Sequence, residues 1–316
     1  MGSIARLIAR LVATPAQPLL PEGQLQGEEL ARALEGHPGF RVLRALDQSG
    51  NVDELALPQD GERVGVVVDT ETTGLDPSEY RLIEIATQRF LFTVTGKIVQ
   101  IERVRYWLED PETPLPALIR RLTGLGDDDL RGKLFDSGAI TTILGEAALV
   151  IAHNAAFDRP FLDARFPGLR YRAWACSLTQ LDWPALGYDG RALGHLVMQS
   201  GRFFVGHRAS NDVLALTTLL GTIATDERTI LSHLLERCML DSFRIDAVGA
   251  PFEAKDALKE RGYRWDPDRR FWSREVGIMD IEEETEWLDQ RVYRGRGAPN
   301  VLRVTPRERF AARAAR

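Results

Sequence analysis

The sequence predicts an α/β protein with a central sheet of mixed strand direction, helices on both faces, and a small α+β module towards the C-terminus. Three observations carry that expectation. A β-branched apolar run at residues 64–68 (VGVVV) reads as a buried strand. A second apolar run at 147–152 (AALVIA) leads straight into helix-forming sequence, and strand-like and helix-like segments then alternate up to residue 239. Beyond that point a shorter strand, helix and hairpin follow as a unit of their own.

Taken in order, Ile4, Leu7, Ile8, Leu11 and Val12 share one helical face, which suggests an amphipathic helix packed on the body or on a partner. A Pro/Gly/Gln-rich linker follows at 13–28, then a short helix at 28–34. Residues 40–46 read as a strand or small helix leaning on the body. Strands flanking or antiparallel to the first are expected at 81–86 and 96–107. A helix at 114–122 should turn Leu118, Ile119 and Leu122 inward. Residues 171–178 form another strand, and helices are expected at 191–200, 211–223 and 227–239. In the last unit come a strand at 243–248, a helix at 252–260 and a hairpin at 261–274 with Asp-Pro-Asp at its turn. The acidic helix at 280–289 reads as a solvated face. The arginines that follow read as a basic tail, which either touches nucleic acid or only solubilises the end. The expected organisation is 1–60 (N-terminal helix, linker and accessory segment), 61–240 (main domain), 241–290 (small module) and 291–316 (basic tail).

The chemistry concentrates in three places. The strand at 64–68 runs into Asp69 and Glu71. Side chains at i and i+2 of a strand share a face, so the two carboxylates converge at its end. Crowded acids on an apolar strand repel unless a cation neutralises them, and hard divalent ions take such oxygen ligands. The second place is His153-Asn-Ala-Ala-Phe157-Asp158, directly after the apolar run at 147–152. The third is Gly206-His207-Arg-Ala-Ser-Asn-Asp212, which opens a helix with Val213, Leu216, Leu219 and Leu220 at helical spacing.

D-x-E-T-T-G, then H-N-x-x-F-D, then H-x-A-x-x-D, in this order and spacing, resemble the DEDDh branch of the DnaQ-like 3′→5′ exonucleases. That family includes the proofreading epsilon subunit of bacterial DNA polymerase III. The resemblance covers about residues 63 to 222 and implies a ribonuclease-H-like sheet. Phosphodiester hydrolysis needs a deprotonated water in line with the leaving oxygen and cations to hold charge on both oxygens, commonly two metals about 3.5–4 Å apart. By resemblance, Asp69 bridges two Mg²⁺ or Mn²⁺ ions. Glu71 and Asp212 complete the shell of the ion carrying the nucleophilic water, and Asp158 supports the second ion directly or through water. His207 is the implied general base, since an imidazole with a free pKa of about 6.5 accepts a proton at neutral pH. Helix capping is a compatible role for Asp158. Arg159-Pro160 departs from the pattern, and places the helix start close to Asp158 or a kink there.

Around the acids, Thr72, Thr73 and Gly74 form a small-residue turn that lets a 3′-terminal nucleotide approach the backbone. Leu75 resembles the apolar residue that packs against the terminal base in this family. Thr123-Gly124-Leu125 matches a T-G-I segment whose apolar residue helps to splay the last two nucleotides. For Leu75 and Leu125 ordinary core packing is the alternative. Where the family has Thr or Ser as a helix cap this chain has Gly126, so Asp127 or Asp128 is expected to cap instead. His153 and Asn154 either order the substrate or hold the turn, and Phe157 is counted with the substrate contacts. In the last unit Arg261, Arg264, Arg269, Arg270 and Arg274 interleave with Tyr263, Trp265, Phe271 and Trp272. That mixture suits backbone contact plus base stacking. Its pattern K-x-x-L-K-x-x-G-Y-x-W-x-P-x-x-x-x-W faintly resembles the HARP-type module of annealing helicases, which binds branched DNA. The alternative is that these aromatics form the module's own core.

Composition narrows the remainder. The chain has 316 residues, enough for one catalytic domain plus accessories, and 44% apolar content for a sizeable core. Cys176 and Cys238 have neither metal-ligand nor disulfide-framework spacing, and reduced thiols suit the cytoplasm. No apolar run approaches the ~18–20 residues of a membrane span, and residues 4–12 are too short and arginine-interrupted for a secretory signal. A net charge of −6 and a pI of about 5.6 argue against a surface that coats a duplex. They fit an enzyme that grips a short 3′ end through metals.

The resemblance therefore implies a cytoplasmic, metal-dependent 3′→5′ exonuclease on single-stranded or frayed DNA, releasing nucleoside 5′-monophosphates in repair or proofreading. The segment 174–183 is similar to a bacterial subgroup of stand-alone members. RNA trimming is the alternative, since ribonuclease T and oligoribonuclease share all three motifs. A silent scaffold docked on a polymerase or helicase is a second, opposed by the presence of all five catalytic positions. Residues 180–184 (QLDWP) loosely resemble a sliding-clamp docking peptide, though inside the catalytic domain. Expected partners are thus DNA, or RNA, with a polymerase, clamp or helicase contact and no membrane.

Overall fold

The structure is a computed structural model that describes residues 27–311. The chain divides after Leu43 into two compact units. The first holds α1 (Gly27–Glu35), where Glu28 in the first turn pairs with Arg32 at 3.2 Å. The amphipathic helix expected at 4–12 and nearly all of the linker lie outside the described residues. Of the strand or helix expected at 40–46, only β1 (Arg44–Ala45) forms, and Phe40 is exposed.

In the second unit the apolar run opens β2 (Glu62–Thr72), with Val66, Val67 and Val68 fully buried. Burial on both faces explains why the run is continuous rather than alternating. Gly65 is required by packing, because the Phe90 ring occupies the space of a Cβ there. Antiparallel to β2 lies β3 (Leu82–Thr93), which also pairs with two short strands, β4 (Ile98–Ile101) and β5 (Arg105–Leu108). The single strand expected at 96–107 is thus two. On the other side of β2 the parallel strands β6 (Leu149–Ala152) and β7 (Trp174–Cys176) complete a six-stranded mixed sheet.

Helices cover both faces, as the pattern implied. Val66, Val68 and Ile85 pack against Ile140, Ile143 and Leu144 of α4 (Ser137–Glu146), and against Phe161 and Leu162 of α5 (Ala155–Arg165). Val67 and Ala86 on the opposite face meet α6 (Leu193–Gln199), α7 (Ala209–Gly221) and α8 (Ile230–Cys238). β1 runs parallel to β8 (Arg202–Phe203) at the edge of this layer. Between β5 and α4 lie α2 (Ala117–Thr123) and α3 (Asp127–Leu130). On α2, Leu118 and Leu122 face outward at 53% and 42% exposure, against expectation. Leu115, Ile119 and Thr123, four residues apart, form the inward stripe instead. Gly126 donates its N–H to Asp129 at 2.7 Å, while Asp127 accepts from Leu115, so neither Asp127 nor Asp128 is the cap.

The C-terminal sheet has the order β10-β11-β9-β12, all antiparallel: β9 (Ser242–Ala247), β10 (Arg264–Asp266), β11 (Phe271–Gly277) and β12 (Asn300–Val304). Ile245, Val276, Leu258 of α9 (Lys255–Glu260) and Leu288 of α10 (Ile281–Leu288) form its core with Tyr263 and Tyr293. Two expectations change here. The acidic α10 is not a wholly solvated face, since Glu284 is 3% exposed and accepts from Arg261 and Arg274. Residues 291–311 are not a free basic tail. They supply β12 and then a segment whose buried Arg309 donates to the Cys238 and Leu240 carbonyls. Among the described residues no helix is long and apolar enough to cross a membrane.

Candidate active site

β2 places the first motif. Val67 and the residues two and four further on share one face, so Asp69 and Glu71 project to the side of α7. Asp212, in the first turn of α7, meets them there. One carboxylate oxygen from each of Asp69, Glu71 and Asp212 lies within 4.8 Å of the others. The β2–β3 ladder shifts register between Glu71 and Thr72, which ends regular pairing at the acids. Thr70 projects to the other face, where its hydroxyl donates to Asp158 of α5 at 2.8 Å. Asp158 therefore reaches the cluster from beneath the strand, and it lies outside the group of three.

These carboxyls are held far from their ordinary acidity. Burial first, then the charges of Asp158, Asp212 and Glu71, raise Asp69 well above the usual carboxylate range. Burial and Asp212 push Glu71 up to about 8. Burial raises Asp158 to about 7 despite its bond from Thr70. Asp212 rises to about 6, burial being offset by His207 and by backbone bonds from Arg208 and His207. Among the described residues, no hydrogen-bond donor is seated on the side chain of Asp69 or Glu71. Closely set acids with hard oxygen donors, none of them bonded to a cationic side chain among the described residues, fit a divalent ion, and Asp69, Glu71 and Asp212 are the residues placed to hold one.

His207 is exposed at the N-terminal approach to α7, in a left-handed backbone conformation with φ 64°. α5 begins at Ala155, earlier than expected, with Asn154 in the left-handed region before it. Pro160 sits inside the helix. The carbonyl its missing N–H leaves free belongs to Ala156, an exposed residue at the helix start. The second motif's histidine is fully engaged. His153 Nε2 meets the Arg191 carbonyl at 2.9 Å and must be its donor, which leaves Nδ1 to accept from the Ser177 hydroxyl at 2.8 Å. Burial lowers its pKa to about 4, so the ring is neutral and ties β6 to two loops. No ring nitrogen is left for a substrate.

The remaining residues separate sharply. Leu75 is 82% exposed at the end of the 72–74 turn, whereas Leu125 is 3% exposed and packs with Ile83, Leu115 and Leu130. Leu125 is thus a core residue and does not present its side chain to a substrate. Thr72 closes the turn by bonding the Gly74 carbonyl, and Thr73 exchanges bonds with Arg81. Gly74 is small because the Tyr80 ring lies where its Cβ would be, which differs from the expected approach of a nucleotide. Phe157 is half-buried, 5.2 Å from the Phe161 ring. The sequence reading missed Glu84 and Arg208. Glu84 faces Glu71 across the β2–β3 ladder and pairs with Arg208 at 3.1 Å. The only sequence signal was a charge inside the apolar stretch 82–86. In the C-terminal module Trp272 is half-buried against the core, edge-on to Trp265 at 5.7 Å. Arg261 is bound to Glu283 and Glu284, leaving Arg264, Trp265 and Arg270 exposed and Arg269 half-exposed. The docking-peptide resemblance at 180–184 fails on burial: Leu181 and Trp183 are core residues, and the indole donates to the Ser177 carbonyl.

Residues 66–220 match the model of the RNase_T family, described as exonuclease. The chain is 38% identical over 105 residues to a DNA polymerase III PolC-type of Halalkalibacterium halodurans, covering 32% of this chain and 7% of that protein. It is 30% identical over 141 residues to the PolC-type polymerase of Thermotoga maritima, covering 44% and 9%. The chain therefore spans less than a tenth of the length of these relatives. Among solved structures, E. coli exonuclease I in complex with a 5cy-dA13 oligonucleotide aligns at 16% identity with a TM-score of 0.44, covering 78% of this chain and 64% of that one. The mixed sheet flanked by helices and the match over 66–220 together identify this part of the chain as an exonuclease domain of the RNase_T family, within the DnaQ-like DEDDh superfamily.

Proposed function

We propose that this protein is a divalent-metal-dependent 3′→5′ exonuclease that hydrolyses DNA from single-stranded or frayed ends by a two-metal mechanism, releasing nucleoside 5′-monophosphates. The observation that carries this reading is the convergence of Asp69, Glu71 and Asp212 with no cationic side chain bonded to them among the described residues, with Asp158 beneath them and His207 exposed beside them. Two Mg²⁺ or Mn²⁺ ions, when bound, would polarise the scissile phosphate and stabilise both oxygens of the displacement. Asp69, Glu71 and Asp212 would hold the ion of the attacking water, and Asp158 would support the second. His207, on the solvent side, takes the proton from the attacking water on its imidazole. Leu75, exposed at the turn, packs against the terminal base, with Thr72, Thr73 and Gly74 shaping the backbone beside it.

DNA is preferred over RNA on the names of the curated relatives, both DNA polymerases, and a polymerase is the partner class they point to. The C-terminal module extends the grip on longer strands through Arg264, Trp265, Arg269 and Arg270. Two buried free cysteines support a reducing, cytoplasmic setting.

The deciding experiment follows matched 5′-labelled DNA and RNA oligomers with Mg²⁺, Mn²⁺ or EDTA. A ladder shortening from the 3′ end is expected, faster on DNA and absent in EDTA. His207→Ala should slow turnover roughly 10²–10⁴-fold with metal affinity nearly unchanged. Faster RNA laddering would establish the ribonuclease alternative, and EDTA-resistant cleavage would overturn the metal mechanism.

A further inference from the structure

Glu84 is a fully buried acid beside the cluster that the proposed chemistry does not use. It stands on β3 directly opposite Glu71. Both its oxygens are occupied: Oε2 accepts from Arg208 Nε at 3.1 Å and from the Ala209 backbone N–H at 3.3 Å, while Oε1 accepts from Arg208 Nη2 at 3.3 Å. This two-pronged guanidinium–carboxylate geometry fixes direction as well as charge. Arg208 is the residue before α7, and its own backbone N–H donates to Asp212 Oδ2 at 3.2 Å. One residue earlier, His207 holds φ 64°, in the left-handed region that only a few per cent of non-glycine residues occupy.

We infer that Glu84 and Arg208 form a positioning clamp that anchors the start of α7 to the central sheet, setting the pose of His207. The clamp also keeps Glu84 out of any ion's shell, since both its oxygens are spent on Arg208 and Ala209. β3 is interior to the sheet, so the anchor is rigid, and it ties to the sheet a loop whose other bonds are local, from Asn211 to the Val205 carbonyl and from the His207 and Arg208 N–H groups to Asp212. Glu84 and Arg208 touch no reacting atom. They act through His207.

The inference rests on the proposed role of His207 as base, and its test separates the two. Glu84→Gln with Arg208→Met removes both charges together, so no buried charge is orphaned and the fold should survive, as thermal unfolding will check. The expected result is a fall in kcat of about 10²-fold, the usual cost of a ~1 Å misplacement of a reacting group. KM and Mn²⁺ affinity, measured by calorimetry, should stay within about threefold. In a His207→Ala background the same pair should add little, because its effect passes through His207. Amide hydrogen exchange at residues 206–209 should rise about tenfold or more, a readout that needs no assumption about catalysis. A double variant with native kcat and native exchange overturns the clamp. An equal loss of kcat in the His207→Ala background overturns its action through His207. If His207→Ala itself turns over normally, the base assignment fails, while the exchange measurement still decides the clamp.

Discussion

Asp158 and Arg159 are neighbours on α5, both essentially buried, and the fold treats their charges in opposite ways. Asp158 faces the acid cluster, where the Thr70 hydroxyl and the backbone N–H groups of Thr70 and Asp158 are set against burial and the charges of Asp69 and Asp212. Arg159 points away, into the seam with the C-terminal segment. It donates to Asp163 and to the carbonyls of Arg170, Arg307 and Arg309, and lies over the Trp174 ring. Arg309 is saturated in the same manner by Ser242, Glu275 and the Cys238 and Leu240 carbonyls. Every nitrogen of these two buried guanidinium groups is thus bonded within the chain itself. At the end of the sheet Asp69 and Glu71 accept no such donor among the described residues.

The comparison breaks most visibly on a pair of substitutions. Asp69→Ala should abolish hydrolysis, and it should raise the thermal stability of the metal-free protein by relieving repulsion. Arg159→Met should do the reverse, costing about 3–5 kcal/mol of stability because it orphans Asp163 and three carbonyls, while leaving kcat near normal well below the transition. Equal stability losses, or an active Asp69→Ala, would erase the distinction between the two ends. For the same reason a chain cut after residue 239 should not remain a sound exonuclease domain, although the acids end at Asp212. The cut removes two of the three carbonyls that satisfy Arg159, those of Arg307 and Arg309, and with them Trp174's backbone bond to Pro306.

The distinction sharpens with pH. Glu71, raised to about 8, and Asp158, raised to about 7, bind protons more tightly folded than unfolded. The metal-free fold is therefore favoured at low pH and loses stability as pH climbs through those values. His153, lowered to about 4, acts in the opposite sense below its ordinary 6.5, so the clean window runs from about 6.5 to 8. In EDTA the Tm should fall across that window, and saturating Mg²⁺ should flatten the fall. A flat profile in EDTA would mean that the cluster is not the strained element. The smallest effect belongs to the module surface. Trp265→Ala should weaken binding of long single strands by ~1–3 kcal/mol, the worth of one stacked base, and leave short oligomers unaffected. Unchanged affinity on long strands would make Trp265 a prop for Trp272 alone.

Local chemistry was legible from sequence wherever it obeys a short period. Alternation along a strand put Asp69 and Glu71 on one face, and helical spacing put Asp212 at the head of an apolar α7. Those are near-neighbour geometries that the backbone imposes on any chain. What needed the tertiary structure was which surface each side chain meets. Leu75 and Leu125 look alike in sequence, yet one is 82% exposed and the other lies in the core. Trp183 in a docking-like peptide is fully buried, and Glu284 on an acidic helix is enclosed by arginines. Arg159 draws its acceptors from positions 148 and 150 residues further along the chain. Pairings over such distances follow from how sheets and helices stack, and burial then favours a partner for most enclosed polar groups. A single sequence states that these groups exist. Only packing decides which are closed off and which are left open to a cation and a substrate.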